Sequence, residues 1–344
     1  EILTGQKGRP APVHPNDHVN QGQSSNDVIP STIHLAAHVQ MNRVLDPALA
    51  LLQQELGRQA RVLAAVRKIG RTHLMDAMPV RVSQEMSGWA SQIKHGIERL
   101  RASLPRVAEL AQGGTAVGTG INAHPEFARR VIASVSSHTH IVFQEATNHF
   151  EAQAAQDAAV ETSGALKTLA VSLVKIANDI RWLASGPRCG IGEINLPSLQ
   201  PGSSIMPGKV NPVIPEAIIQ VSAQVMGNDT TIMMGGQAGN FELNVMLPVV
   251  AYNLLQSIEL LADAADVFVQ KCIEGITANK EVCAGYIEQS LALATGLVPM
   301  IGYDKAAAVS KKAYESGRTI RQVVMAENIL SEKEFDEWLQ DQFK

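Results

Sequence analysis

A chain of 344 residues, 45% apolar and 18% charged, is long enough to bury a sizeable core and has the balance of a soluble globular protein, with length alone allowing two or three domains. Its net charge of −4, with acids and bases interspersed, gives no basis for expecting nucleic acid or a membrane surface as partner. Cys189, Cys272 and Cys283 lack CxxC spacing, so neither a zinc site nor a disulfide framework is expected, and a reduced, cytoplasmic setting fits better. The longest strongly apolar run, Val245 to Leu255, is broken by Pro248 and Asn253 and is too short to span a bilayer.

In chain order, residues 1 to 28 read as loop and turn. Within them, HPNDHVNQGQSSND (14–27) concentrates His14, Asn16, Asp17, Ser24, Ser25, Asn26 and Asp27. Asp27 or Ser31 can cap the following helix. The remaining donors exceed what a cap needs, and helix N-terminal amides beside them favour an anion. Apolar residues at helical spacing, including Ile33, Leu35, Val39, Val44 and Leu51, then predict a helix over about 31–62. GRTH (70–73) falls between helical runs. A lone histidine is more often structural than catalytic, but Thr72 beside His73 supplies a hydroxyl for an oxyanion. A second helix is predicted over about 83–110, with Glu85 in its first turn. GGTAVGTGINAHP (113–125) has no GxGxxG match and no preceding strand, so it reads as a tight turn rather than a dinucleotide site.

A third helix is predicted over about 152–183, followed by a long loop from 186 to 212. That loop ends in PGSSIMPGKVNP (201–212). It is not a phosphate loop: five residues separate Gly202 from Gly208, and Val210 follows Lys209 where Ser or Thr is required. It is more specialised than generic loop, because its glycines permit a fold over a ligand beside one cation and two hydroxyls. A fourth helix is predicted from Pro215 to about Thr231, and a fifth from about 242 to 269. The fifth is apolar nearly all round and must be covered on several sides. The pattern breaks near 277–279, and a small unit of shorter helices follows. With β-type alternation nearly absent, the reading is all-α: a five-helix central bundle and a small C-terminal helical domain. The domains are 1–23 (an N-terminal remnant), 24–278 and 279–344.

Taken together, GSSIMPGKVNP, GRTH, HPNDHVN, SSND, GGTAVGTG, SGPRCGIGEI (185–194) and GNFELNV (239–245) resemble segments of the fumarase/aspartase superfamily of all-helical lyases, over nearly the whole chain. Within it the chain resembles the class II fumarate hydratases. Aspartate ammonia-lyases share the signature but typically carry Gln in place of His73 and Thr in place of Ser25. The resemblance implies reversible hydration of fumarate to (S)-malate, with no metal and no cofactor. It makes Ser203 the base that removes the malate C3 proton. Lys209 and Asn211 hold the aci-carboxylate. His73 serves the leaving hydroxyl, oriented by Glu216. Ser24, Ser25, Asn26, Thr72 and Ser204 bind the substrate carboxylates.

The resemblance also implies a homotetramer with about twenty helices in its core and active sites shared between three subunits. It implies a family N-terminal segment, with a Ser-Gly-Thr substrate motif, before the point where this chain begins. A second dicarboxylate site is expected at His14, Asn16 and Asp17. It should be weak, since Ala11 and Pro12 stand where a base is usual and the nearest base is Arg9. The compartment is the cytoplasm, or the mitochondrial matrix if the source is eukaryotic. Two alternatives stand beside the hydratase reading: an aspartate ammonia-lyase, and a catalytically impaired helical scaffold.

Overall fold

The computed structural model describes residues 13–200, 202 and 205–341. Among these, helices dominate, as the apolar spacing predicts. The first long helical stretch is α1 (Ser25–Gln40) continued by α2 (Asp46–Val62). Between them, Met41–Leu45 widens to a π-turn, with the Asp46 N–H bonding the Met41 carbonyl. This widening lies just before Pro47, which has no N–H to continue an α-ladder. Ser24 caps α1: its hydroxyl accepts from Asn26, and the Asp27 side chain accepts from the Ser24 N–H at 2.9 Å.

A hairpin follows, β1 (Arg67–Thr72) with β2 (Met75–Arg81), antiparallel and bulged between Ile69 and Arg71. This corrects the reading of GRTH as a link between helices. A Cβ on Gly70 would lie 2.6 Å from the Met78 carbonyl oxygen, so the bulge requires glycine there. Then come α3 (Val82–Val107), β3 (Glu109–Leu110), α4 (Phe127–Thr139), β4 (Gln144–Glu145), α5 (His149–Ala154) and α6 (Asp157–Leu183). The predicted third helix is thus split: Ala155 is extended (ψ 151°) and ends α5. Beyond it lie β5 (Ile194–Asn195), α7 (Val213–Gly236), β6 (Gly239–Asn240), β7 (Leu243–Asn244), α8 (Leu247–Lys271) and β8 (Thr277–Ala278). The C-terminal helices are α9 (Lys280–Gln289), α10 (Leu293–Ile301), α11 (Tyr303–Ser316), α12 (Ile320–Ala326) and α13 (Glu332–Asp341).

The chain divides into two compact units. One holds the described residues up to Ala50 with Ile93–Val174 and Ile218–Asp266; the other holds Leu51–Gln92, Lys175–Ala217 and Val267 onward. The first is built on helix packing among Ile93, Ile97, Leu166, Leu169, Leu173, Val225, Val250, Leu254 and Ile258, all buried. The second buries Leu52, Leu56, Ile69, Met86, Trp89, Ile180 and Phe268. It also contains a separate apolar cluster of Ile287, Leu293, Leu297, Val309, Ile320, Val324, Phe335 and Trp338 in the C-terminal helices. Within one chain α8 is not covered all round: Tyr252, Glu259, Asp263 and Val267 are exposed. Among the described residues, no helix is long and apolar enough to cross a membrane.

Candidate active site

The turn of the β1–β2 hairpin is two residues long, His73 and Leu74, and Thr72 pairs directly with Met75. Both turn residues have positive φ, 56° and 62°. Such turns suit the twist of a hairpin but are normally made by Asn-Gly or Asp-Gly. Non-glycine side chains in this region cost on the order of 1–3 kcal/mol each. The turn therefore presents His73, flanked by Thr72, in a conformation its own sequence disfavours. Both side chains are exposed.

Beneath the turn lies a buried ionic network that sequence reading missed. The Lys68 ammonium, 1% exposed, donates to Glu85 Oε1 at 2.8 Å and to the Ile69 carbonyl at 2.7 Å, and lies 3.3 Å from Glu193 Oε2. Arg71 donates to the same Glu193 oxygen at 2.8 Å, and Glu193 is fully buried. The Arg71 guanidinium also sits over the Tyr286 ring, 5.5 Å from its centroid. Burial pushes the Glu85 carboxyl above its ordinary range, with the Lys68 charge opposing that shift. The one local signal for this network was Glu193, a lone charge inside GIGEI; Lys68 follows Arg67 and is not marked out by its neighbours.

The signature loop is closed on itself. The Gly202 N–H donates to the Lys209 carbonyl at 2.8 Å, and Asn211 Nδ2 donates to the Gly202 carbonyl at 3.0 Å. A Cβ on Gly202 would lie 2.3 Å from the Lys209 oxygen, whereas Gly208 is the residue with positive φ, 81°. The two glycines thus act differently: one allows a close approach, the other a turn. Lys209 is exposed. Ser203 and Ser204 lie outside the described residues. Glu216 is in the first turn of α7, with Oε1 3.9 Å from Arg181 Nη2. Within one chain, no hydrogen bond joins Glu216 to His73 among the described residues.

In the other unit, Ser24 and Ser25 open α1, and Asn26 Nδ2 donates to the Ala116 carbonyl at 2.8 Å. The neighbouring Asp27 is structural. Beyond capping α1, its second oxygen accepts from the N–H groups of Gly113 and Thr115, both at 3.0 Å, and from Gln112 Nε2 at 3.2 Å. One buried carboxylate thereby holds the glycine-rich turn at 113–118 against SSND. Ser24, Asn16 and Asp17 line one cleft of ≈730 Å³ together with Asn20, Thr115, Ala116 and Asn122. The structure thus brings part of the expected substrate set and part of the expected second site to a common polar cleft. His14 is the N-cap of the turn Pro15–Val19: its Nδ1 accepts from the N–H groups of Asn16 (3.3 Å) and Asp17 (3.1 Å). Arg9, Ala11 and Pro12 lie outside the described residues. Cys283 and Cys272 are buried, with thiols pushed up to about 11 and about 12, so both are inert packing groups.

A mostly helical chain whose polar residues gather in loops between long helices matches two protein-family models: a lyase model over residues 1–227 and a fumarase C C-terminus model over residues 293–342. These define the class as a helical lyase. The class II fumarate hydratase of Nitrosomonas europaea is 52% identical over 342 residues, covering 99% of this chain and 74% of its own length. That of Neisseria meningitidis serogroup A is 54% identical over 326 residues, covering 95% and 71%. Among solved structures, a recombinant class II fumarase from Schistosoma mansoni superposes with a TM-score of 0.94 at 38% identity, covering 99% of this chain and 74% of that one. A native fumarate lyase/delta crystallin from Brucella melitensis superposes with a TM-score of 0.86 at 41% identity, covering 94% and 73%. The chain belongs to the class II fumarate hydratase family.

Proposed function

We propose that this protein catalyses the reversible hydration of fumarate to (S)-malate, by anti elimination and addition through an aci-carboxylate. The observation that carries this is its 52% identity, over 99% of the chain, to a class II fumarate hydratase. In the dehydration direction Ser203 removes the C3 proton. That proton is weakly acidic, so the charge left on the carboxylate must be held as it develops, by Lys209 and Asn211. His73 delivers a proton to the departing hydroxyl directly or through water, and Glu216 orients the imidazole. Thr72, Ser204, Ser24, Ser25 and Asn26 bind the two carboxylates. The exposure of His73, Thr72 and Lys209 in one chain agrees with a site completed by neighbouring copies.

The same reading makes the protein a homotetramer with three subunits contributing to each site, cytoplasmic, or in the mitochondrial matrix if eukaryotic. It keeps 1–23, 24–278 and 279–344 as domains; the apolar cluster from Ile287 to Trp338 supports the last boundary. A second, weaker dicarboxylate site at His14, Asn16 and Asp17 belongs to it as well.

The test is fumarate formation from malate, followed by ultraviolet absorbance. His73→Gln and Ser203→Ala should each lower kcat by about 100-fold or more, the range for losing an acid–base group. Full activity in Ser203→Ala would sink the mechanism. Release of ammonia from aspartate would favour the ammonia-lyase reading instead.

A further inference from the structure

We propose that Glu193 is a positioning residue for the hairpin turn that carries His73, acting through Lys68 and Arg71; this rests on the reading of His73 as the group serving the leaving hydroxyl. A non-glycine turn with positive φ at both residues persists only where its surroundings over-determine it. The turn itself offers little restraint, since Thr72, His73, Leu74 and Met75 are all exposed. The restraint must come from the base of the hairpin, and there Glu193 is the common partner of Lys68 and Arg71, two of the three cations on β1.

Glu193 is itself anchored on three sides. Its N–H donates to the Leu183 carbonyl at 2.8 Å, at the end of α6. Its carbonyl accepts from the Asn279 N–H at 2.9 Å, at the start of α9, and from Cys283 Sγ at 3.5 Å. The next residue, Ile194, opens β5, which pairs with β8. The carboxylate is therefore a fixed point. Through Arg71 it reaches the residue next to Thr72, and through Lys68 it reaches the start of the strand. Glu85, at the start of α3, holds Lys68 from the other side at 2.8 Å. An apolar group of the same size would pack without the desolvation cost of this buried charge, so placement of Lys68 and Arg71 is the role this proposal gives it.

The experiment compares Glu193→Gln and Arg71→Met with wild type, each alone and in a His73→Gln background. Glu193→Gln keeps the shape but removes the charge; Arg71→Met, at the edge of the network, serves if Glu193→Gln does not fold. Amide exchange across 71–75 should speed up by about ten-fold, while exchange in α8 stays unchanged. The kcat should fall by about ten-fold with KM within about two-fold, and with no further fall in the His73→Gln background, because both changes act through one group. Unchanged exchange at the hairpin, or losses that multiply with those of His73→Gln, would overturn the proposal. Wild-type turnover in His73→Gln alone would remove the His73 reading, and the catalytic half of this one with it. The exchange data would still report whether Glu193 orders the hairpin.

Discussion

His34 shows how one half-buried side chain writes itself into the pH dependence of the whole. Its Nδ1 bonds the Glu109 carbonyl at 2.8 Å, and its ring lies among Arg106, Glu109, Glu151, Asp157 and Glu161 around a small cavity. Burial lowers its pKa from 6.5, outweighing the opposing pull of Glu109. The folded state therefore binds this proton more weakly than the unfolded one. The His34 contribution to stability is complete above pH 6.5 and is lost as pH falls from 6.5 towards the depressed folded value. His38 shifts in the same direction, also by burial. His34→Gln keeps a donor for the Glu109 carbonyl and removes the titration. Its stability relative to wild type should improve as pH drops below 6.5 in urea titrations; parallel profiles would refute the assignment. At the same scale, the sequence offered Asp27 or Ser31 as the cap, but Ser31 lies inside α1 and Asp27 only completes the capping box. Ser24 is the cap, while Asp27 serves a loop more than eighty positions away, and nothing local in the sequence marks that partner.

Long helices were readable because each buries one stripe at a spacing of 3.6 residues. The hairpin was not, for an identifiable reason. Its inward face includes Lys68, a charge where alternation demands an apolar residue, and the Ile69–Arg71 bulge shifts the register midway. Between α7 and α8 the fit is close enough to be tested. A Cβ on Gly235 would come within 2.6 Å of Val250 Cγ2, a stiff, fully buried neighbour. Alanine gains about 1 kcal/mol of helix propensity over glycine. Overpacking costs about 1–3 kcal/mol, so Gly235→Ala should lower the urea midpoint. A raised midpoint would mean that the two helices part without loss. The same pair is aligned by a polar node: Asn228 Nδ2 donates to Ser257 Oγ and to Gln256 Oε1, both at 3.0 Å. A buried amide of this kind fixes how one helix slides along the other.

At the scale of the molecule, Val171, Met233, Met234 and Tyr252 stand exposed on long helices, at 52% or more of their surface. If the chain assembles as a tetramer through these helices, light scattering should give four times the chain mass of 36.9 kDa. Met233→Glu with Met234→Glu should then shift it to smaller species and reduce turnover in step, because sites built from several copies vanish with the assembly. A monomer with full activity would exclude shared sites.

By itself the sequence determined the five long helical stretches, though not α4 (Phe127–Thr139) or the break between α5 and α6, and, through its loop motifs, the family. Both depend on short-range pattern: apolar periodicity, and residue types at fixed spacing. Only the tertiary structure decided what GRTH sits on, why Gly202 and Gly208 are glycines for different reasons, and that Lys68, Arg71, Glu85 and Glu193 meet in one buried cluster. A charge is tolerated in the interior only where opposite charges converge on it from distant segments. That convergence is a property of the folded chain, and no window of sequence contains it.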